Sequence, residues 1–408
     1  MRLISSANAR AVGALLDRRP GRDATVQRRV RTIVERVRKE GDRAVLAYAR
    51  RLDRLDRPIE ITHDEMEHAW RTLDRAIARA ITLAVANIAG IARRQVPRGW
   101  RARPVPGVSI EQRVLPLDRV GCYVPAGRYP LPSTLLMTAL PARLAGVPEV
   151  IAVCPRPDAT VLAAARAAGV TRFFRVGGAH AIAALAYGTA TIPRVDKIVG
   201  PGSVYVAAAK AHVAQDCAID FFAGPTEIAV LSTSGRPAWI AADLLAQAEH
   251  DPDARAILIT PSRRLADRVM THLARLDPDA SLAGRGGIIL TASLDEAIAL
   301  CQRFAPEHAV CDNDRVAARL TRAGTVLVGD YSAQASGDYV TGSNHVLPTA
   351  GAAASRGGLS AADFVRVATV QRLTRVGLQR IGPAGATLAD AEGLRFHAAS
   401  IRARLGRS

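Results

Sequence analysis

The sequence has almost no lysine. Three of its 55 basic residues are Lys (Lys39, Lys197 and Lys210) and the rest are Arg. Beside abundant Ala, that substitution is what a GC-rich coding bias produces. Aromatic residues make up only 4%, and none interleaves with the densest Arg runs. A nucleic-acid interface needs stacking rings within a basic stripe, so none is expected. The five cysteines (Cys122, Cys154, Cys217, Cys301 and Cys311) are far apart and form no C-x-x-C pair. That pattern excludes a disulfide framework and a cysteine zinc site. No run of 18 apolar residues occurs, so no transmembrane helix is predicted. Met1-Arg2-Leu3-Ile4-Ser5-Ser6 lacks the apolar core of a signal peptide, and the cytoplasm is the expected compartment.

What is present is an ordinary globular composition. The chain has 408 residues, 49% apolar and 23% charged, which suits two or three folded units and excludes wholesale disorder. The net charge is +18, of which +12 lies in residues 1–120. There the Arg residues alternate with acids at helical spacing, as in Arg28-Arg29-Val30-Arg31-Thr32-Ile33-Val34-Glu35-Arg36. This is the solvated face of an amphipathic helix, able at most to attract an anion.

Residues 1–17 read as a short arm. Helices are predicted over 24–51, with Val26, Val30, Ile33, Val34 and Val37 on one stripe, and over 64–96, with Met66, Ala69, Trp70, Leu73, Ile77, Ile81 and Val85 in phase. A strand is predicted near 107–114. From Arg119 onward short apolar runs alternate with Ala-rich stretches. Strands are predicted at 119–124, 148–153, 171–175, 195–199, 226–231, 255–260, 286–290 and 324–328. This alternation predicts an α/β fold of open, mostly parallel sheet, in one piece or two, with helices on both faces. Residues 358–408 read as a helical tail. Ligands in such folds gather at the carboxyl ends of strands, where Val124-Pro125-Ala126-Gly127, Val176-Gly177-Gly178 and Gly200-Pro201-Gly202-Ser203 fall. None completes a G-x-G-x-x-G fingerprint.

Four polar clusters stand out. Gln247 and His250 lie three apart on a predicted helix and can share a ligand, or His250 can simply cap the helix end. Glu307-His308 offers a carboxylate beside a natural general base, or a surface Glu beside a half-buried His. The segment Ser336–Thr349 reads as a loop dense in Gly, Asp, Asn and His, with Asp338 and His345 as candidate ligands or bases, or with side chains that hydrogen-bond the loop's own backbone. Glu392 and His397 lie in the tail, where a lone pair of polar residues is normally solvated.

Taken in order, these segments resemble the histidinol dehydrogenase family. The resemblance runs from about residue 24 to the end. It is carried by Gly121-Cys-Tyr-Val-Pro-Ala-Gly127, Val176-Gly-Gly-Ala-His-Ala-Ile-Ala-Ala-Leu185, Val195-Asp-Lys-Ile-Val-Gly-Pro-Gly202 and Ala223-Gly-Pro-Thr-Glu-Ile228. It continues through Ala246-Gln-Ala-Glu-His250, Ala305-Pro-Glu-His308, Gly337–Thr349 and Glu392-Gly393. The resemblance implies two Rossmann-like sheets with helices on both faces, a small helical tail domain and an N-terminal arm. It implies a division into an arm (1–17), a first α/β domain (18–118 with 232–352), a second (119–231) and a tail (353–408).

It further implies oxidation of L-histidinol to L-histidine, through the aldehyde, in two NAD-dependent steps. Gln247, His250, Asp338 and His397 match zinc ligands. Glu307 and His308 match the acid/base pair. Thr226 and Glu392 match substrate contacts, alongside the zinc-ligand and acid/base residues. Tyr123, His180 and Ser203 fall at positions that touch NAD. Glu392 and His397 would come from a partner subunit, so a homodimer is expected. His180, Ser203 and Ala126 replace the family's usual Gln, Asn and Gly. These departures, with the positive charge, keep open a related zinc and NAD dehydrogenase acting on another small, anionic alcohol.

Overall fold

The computed structural model describes residues 1–17, 23–126, 130–221, 224–282 and 285–406. Gly127 and Ala223, the ends of two of the motifs, lie outside the described residues, as do 18–22. The described residues form fifteen strands: β1 (Arg2–Ser5), β2 (Glu60–Ile61), β3 (Trp100–Ala102), β4 (Val108–Pro116), β5 (Arg119–Tyr123), β6 (Glu149–Val153), β7 (Arg172–Phe174), β8 (Lys197–Val199), β9 (Ala218–Ile219), β10 (Glu227–Leu231), β11 (Arg255–Thr260), β12 (Gly286–Leu290), β13 (His308–Cys311), β14 (Thr325–Val328) and β15 (Val365–Leu373). They make two six-stranded sheets, β1-β12-β11-β10-β13-β14 and β2-β7-β6-β5-β8-β9, and a three-stranded ribbon, β15-β4-β3. The first sheet is parallel throughout; the second is parallel except for β2. All eight strands expected after Arg119 are present, in an α/β fold.

Period-two alternation explains why both faces of each sheet are covered. In β6, Val150 and Ala152 enter one core with helices Arg75–Gln95, Pro132–Leu144 and Ala159–Ala168. Ile151 and Val153 enter the opposite core with helices Ala24–Glu40 and Gly178–Tyr187. In the first sheet Ala229, Leu231, Ile257 and Ile259 face one side, and Ile228, Val230, Ala256 and Leu258 the other. These side chains are essentially inaccessible. Burying each of the larger ones contributes about 1.5–3 kcal/mol.

Several expectations are corrected. Residues 1–17 are not an arm: β1 pairs with β12 at the edge of the first sheet, and Val12 and Leu16 of helix Ala9–Leu16 are buried in its core. The segment 18–118 does not belong with 232–352. Its helices Ala24–Glu40 and Arg75–Gln95 pack on the second sheet, and β2 extends that sheet. Conversely β10, placed by the sequence with 119–231, is central to the first sheet.

The helix expected over 24–51 breaks at Gly41, whose φ of +56° favours glycine. The one expected over 64–96 breaks because Asp74 caps a new helix, accepting from Ala76 N at 2.8 Å and Ile77 N at 3.2 Å. That second helix, Arg75–Gln95, is long and apolar enough to cross a membrane by length and composition. Its Ile81, Ala84, Ile88 and Ala92 stripe is instead buried against the second sheet. The tail is not wholly helical: β15 runs antiparallel to β4, from Val365 opposite Pro116 to Leu373 opposite Val108.

Candidate active site

Three of the four polar clusters converge at the amino ends of β10 and β13. The register sets this meeting: Ile228 lies opposite His308, so Thr226 and Glu227 come to the same edge as Glu307. Glu307 is 7% exposed. Its Oε2 accepts from Thr226 Oγ1 at 2.5 Å and from Glu227 N at 3.0 Å. Helix Pro237–His250 brings in the next two groups. Gln247 Nε2 donates to Thr226 Oγ1, and Gln247 Oε1 is buried without a partner. His250, three residues on, is half-exposed on the same helix, its Nε2 3.9 Å from Asp338 Oδ2.

The segment expected as a loop begins instead with a helix, Gln334–Tyr339. It places Asp338 Oδ1 3.5 Å from His308 Nε2. His308 Nδ1 donates to the Glu227 carbonyl at 3.3 Å, which leaves Nε2 directed at the cluster. His345 Nδ1 donates to the Asp338 carbonyl at 2.8 Å, and its Nε2 lies 3.4 Å from Thr134 Oγ1 on a helix of the second sheet. The cluster thus sits where the two sheets meet. A cavity of about 380 Å³ opens beside His308, Asp338 and His345, with β14 as one wall.

Burial raises the carboxyl pKa of Glu307, against the pull of His308 and two hydrogen bonds. Burial lowers that of His308, but Asp338 and Glu307 outweigh it and the net shift is upward. Asp338 shifts the other way: burial raises it, and the His308 hydrogen bond and charge bring it below the ordinary value. His345 is lowered, chiefly by burial. A carboxylate raised toward neutrality beside an imidazole with one free nitrogen can pass protons to and from a small hydroxyl compound.

The side chains able to hold a metal are Gln247, His250 and Asp338. The orphaned Gln247 oxygen fits that use, because a buried amide oxygen without a partner is costly unless something binds it. Among the described residues no three His, Cys, Asp or Glu side chains come together as a metal site. One chain therefore offers an incomplete ligand set. Glu392 and His397 are exposed in the tail, outside the cluster.

The glycine-rich turns fall elsewhere. Tyr123 ends β5 and Gly200 follows β8, its neighbour, at the point where strand order reverses in the second sheet. A Cβ on Gly200 would meet the Tyr123 carbonyl at 2.2 Å, so only glycine allows this approach. Tyr123 Oη accepts from Gly178 N at 3.1 Å, and burial pushes its phenol up to about 12. Ser203 is exposed ahead of helix Val204–Val213. The His180 side chain is 1% exposed and its Nε2 lies 2.8 Å from Asp53 Oδ2, which also accepts from Gly177 N at 2.9 Å. Asp53 thereby ties the ring to the turn.

The turns of the second sheet thus lie at the carboxyl ends of its strands, whereas the cluster lies at the amino ends of strands in the first. At the carboxyl ends of β10, β13 and β14 the described residues line a 30 Å³ cavity, space for about one water. Sequence reasoning also missed Gln334, buried behind the cluster. The only signal available was its place one helical turn before Asp338.

The sequence model of the histidinol dehydrogenase family matches residues 16–405. The chain is 43% identical over 412 residues to the histidinol dehydrogenase of Geobacter sulfurreducens, covering 96% of each. It is 44% identical over 399 residues to that of Brucella suis, covering 93% of each. The crystal structure of histidinol dehydrogenase from Elizabethkingia anophelis superposes with a TM-score of 0.94 at 30% identity, over 100% of this chain and 98% of that one.

Proposed function

The chain belongs to the histidinol dehydrogenase family of oxidoreductases, and from that premise we propose that it oxidises L-histidinol to L-histidine through the aldehyde, in two NAD-linked steps at a zinc-dependent site. The observation that carries this reading is the convergence of Thr226, Gln247, His250, Glu307, His308 and Asp338 on one point beside a cavity large enough for a small amino alcohol.

An alcohol carbon gives up hydride only as its hydroxyl loses a proton. His308 is the base: Glu227 holds the hydrogen on Nδ1, and the Nε2 lone pair is turned to the cluster to accept. The aldehyde must gain water before a second hydride can leave. Glu307, raised toward neutrality by burial and held by Thr226 and Glu227, takes the proton from that water. Gln247, His250, Asp338 and the partner's His397 would hold zinc, which would supply a Lewis-acid anchor for the substrate. The turns of Tyr123, His180 and Ser203 would hold NAD, which would supply the hydride acceptor.

The active unit in this reading is a homodimer whose tails cross. Leu388, Leu394 and Phe396 expose apolar surface beside Glu392 and His397, as expected of a segment that another subunit covers. Each tail would bring Glu392 to the substrate and His397 to the metal of its partner.

The test is histidinol-dependent NADH formation by zinc-loaded protein at mildly alkaline pH, with and without a chelator. Activity that a chelator removes and zinc restores is expected. No NADH with histidinol, or a better kcat/KM for another alcohol in a panel, overturns the reading.

A further inference from the structure

We propose that Gln334 is a positioning residue of this site, whose amide N–H groups bridge Asp338 and His308 and so fix the carboxylate that faces the metal and the ring tautomer of the base. The proposal rests on the histidinol-oxidising reading of the cluster. Gln334 opens helix Gln334–Tyr339 and is 1% exposed. Asp338 lies one turn further on, on the same face. Gln334 Nε2 is 2.7 Å from Asp338 Oδ2 and 3.3 Å from His308 Nε2.

The chemistry of the partners decides which way the amide points. An ionised carboxylate only accepts, so the group 2.7 Å from Asp338 must be the NH2. The amide oxygen is thereby turned away, buried without a partner. On the other side, the Glu227 carbonyl only accepts, so the His308 hydrogen sits on Nδ1. In the neutral ring, the form that acts as base, the lone pair on Nε2 faces Asp338 Oδ1 at 3.5 Å, acceptor against acceptor. The second N–H of Gln334 supplies the donor that this corner otherwise lacks. Gln334 does not line the cavity, so it acts through His308 and Asp338 and not on substrate. An arriving substrate hydroxyl takes over the Nε2 lone pair, while the other N–H keeps Asp338 in place.

Gln334→Leu keeps the bulk and removes both donors. Expected are a fall of about 10- to 100-fold in kcat with histidinol, little change in its KM, and a drop of about tenfold or more in zinc affinity measured by chelator competition. A second readout needs no variant. In zinc-free wild-type protein with ¹⁵N-labelled histidine, the His308 resonances, assigned by their loss in His308→Ala, should report the Nδ1–H tautomer. Gln334→Leu should show a mixture. Wild-type kcat and zinc affinity in folded Gln334→Leu, or an Nε2–H tautomer in the wild type, overturns the proposal. If wild-type protein oxidises no histidinol, the functional reading fails instead, and the NMR and zinc measurements still judge the bridge.

Discussion

The hydroxyl of Thr226 donates to the carboxylate of Glu307 at 2.5 Å. The same oxygen accepts from Gln247 Nε2, so one hydroxyl links the proposed water-activating group to a proposed metal ligand. Thr226→Val breaks both contacts and leaves a buried amide donor unpaired, at about 1–3 kcal/mol. A loss of roughly tenfold or more in turnover is expected, since 1.4 kcal/mol is a factor of ten. Thr226→Ser keeps the hydroxyl and should retain most activity. Steady-state rates of the two variants check this; a greater loss in Thr226→Ser than in Thr226→Val would show that the methyl group and not the hydrogen bond matters.

Glu307 and His308 are adjacent in sequence but differently placed. His308 is held by Glu227 and directed at the cavity, whereas Glu307 is anchored by Thr226 and Glu227. Removing a general base typically costs about 10²–10⁴-fold. His308→Ala should slow both oxidations by that order, and Glu307→Ala mainly the second. Separate assays starting from histidinol and from the aldehyde distinguish them. Equal effects of the two variants on both steps would contradict the assigned roles.

The incomplete ligand set predicts complementation between subunits. His250→Ala and His397→Ala should each be inactive alone. Mixed and allowed to exchange, half of the dimers pair one of each, and one of their two sites then has both histidines. About a quarter of the wild-type activity should return. No recovery in demonstrated mixed dimers would mean that His397 serves its own chain.

Much of this architecture could be read from the chain. Apolar runs such as Ile257-Leu-Ile and Ile288-Ile289 in the buried strands marked the sheets. Helix Pro237–His250 carried Gln247 and His250 on one face as their spacing required. Three things were not legible, each for a physical reason. β15 mixes apolar residues with Arg, Thr and Gln and is largely exposed, and its partners on β4 lie far back in the chain, from Pro116 opposite Val365 to Val108 opposite Leu373. The choice of amino end over carboxyl end depends on strand order and on the register of β10 against β13, which no local pattern encodes. The pairing of His180 with Asp53 was invisible because nothing near it in sequence announces Asp53, 127 positions earlier.

Asp243 gives a prediction independent of catalysis. It lines the small cavity at the carboxyl ends of the first sheet, and burial alone pushes its pKa from 3.8 to about 6. The folded state therefore prefers the neutral acid. Below the unfolded value the group is protonated in both states and neutral to stability. As pH rises from 3.8 through 6, the unfolded chain ionises first and stability falls, reaching a constant deficit above pH 6. The shift corresponds to on the order of 2 kcal/mol once partial exposure is allowed for. Asp243→Asn removes the ionisation and should raise the thermal midpoint by roughly a few degrees at about pH 7.5. Near pH 4 the two proteins should melt together. Melting curves across that range decide the matter: a stabilisation that does not vary with pH would come from packing, and a destabilised Asn variant at the higher pH would mean that the ionised carboxylate is held by a favourable partner.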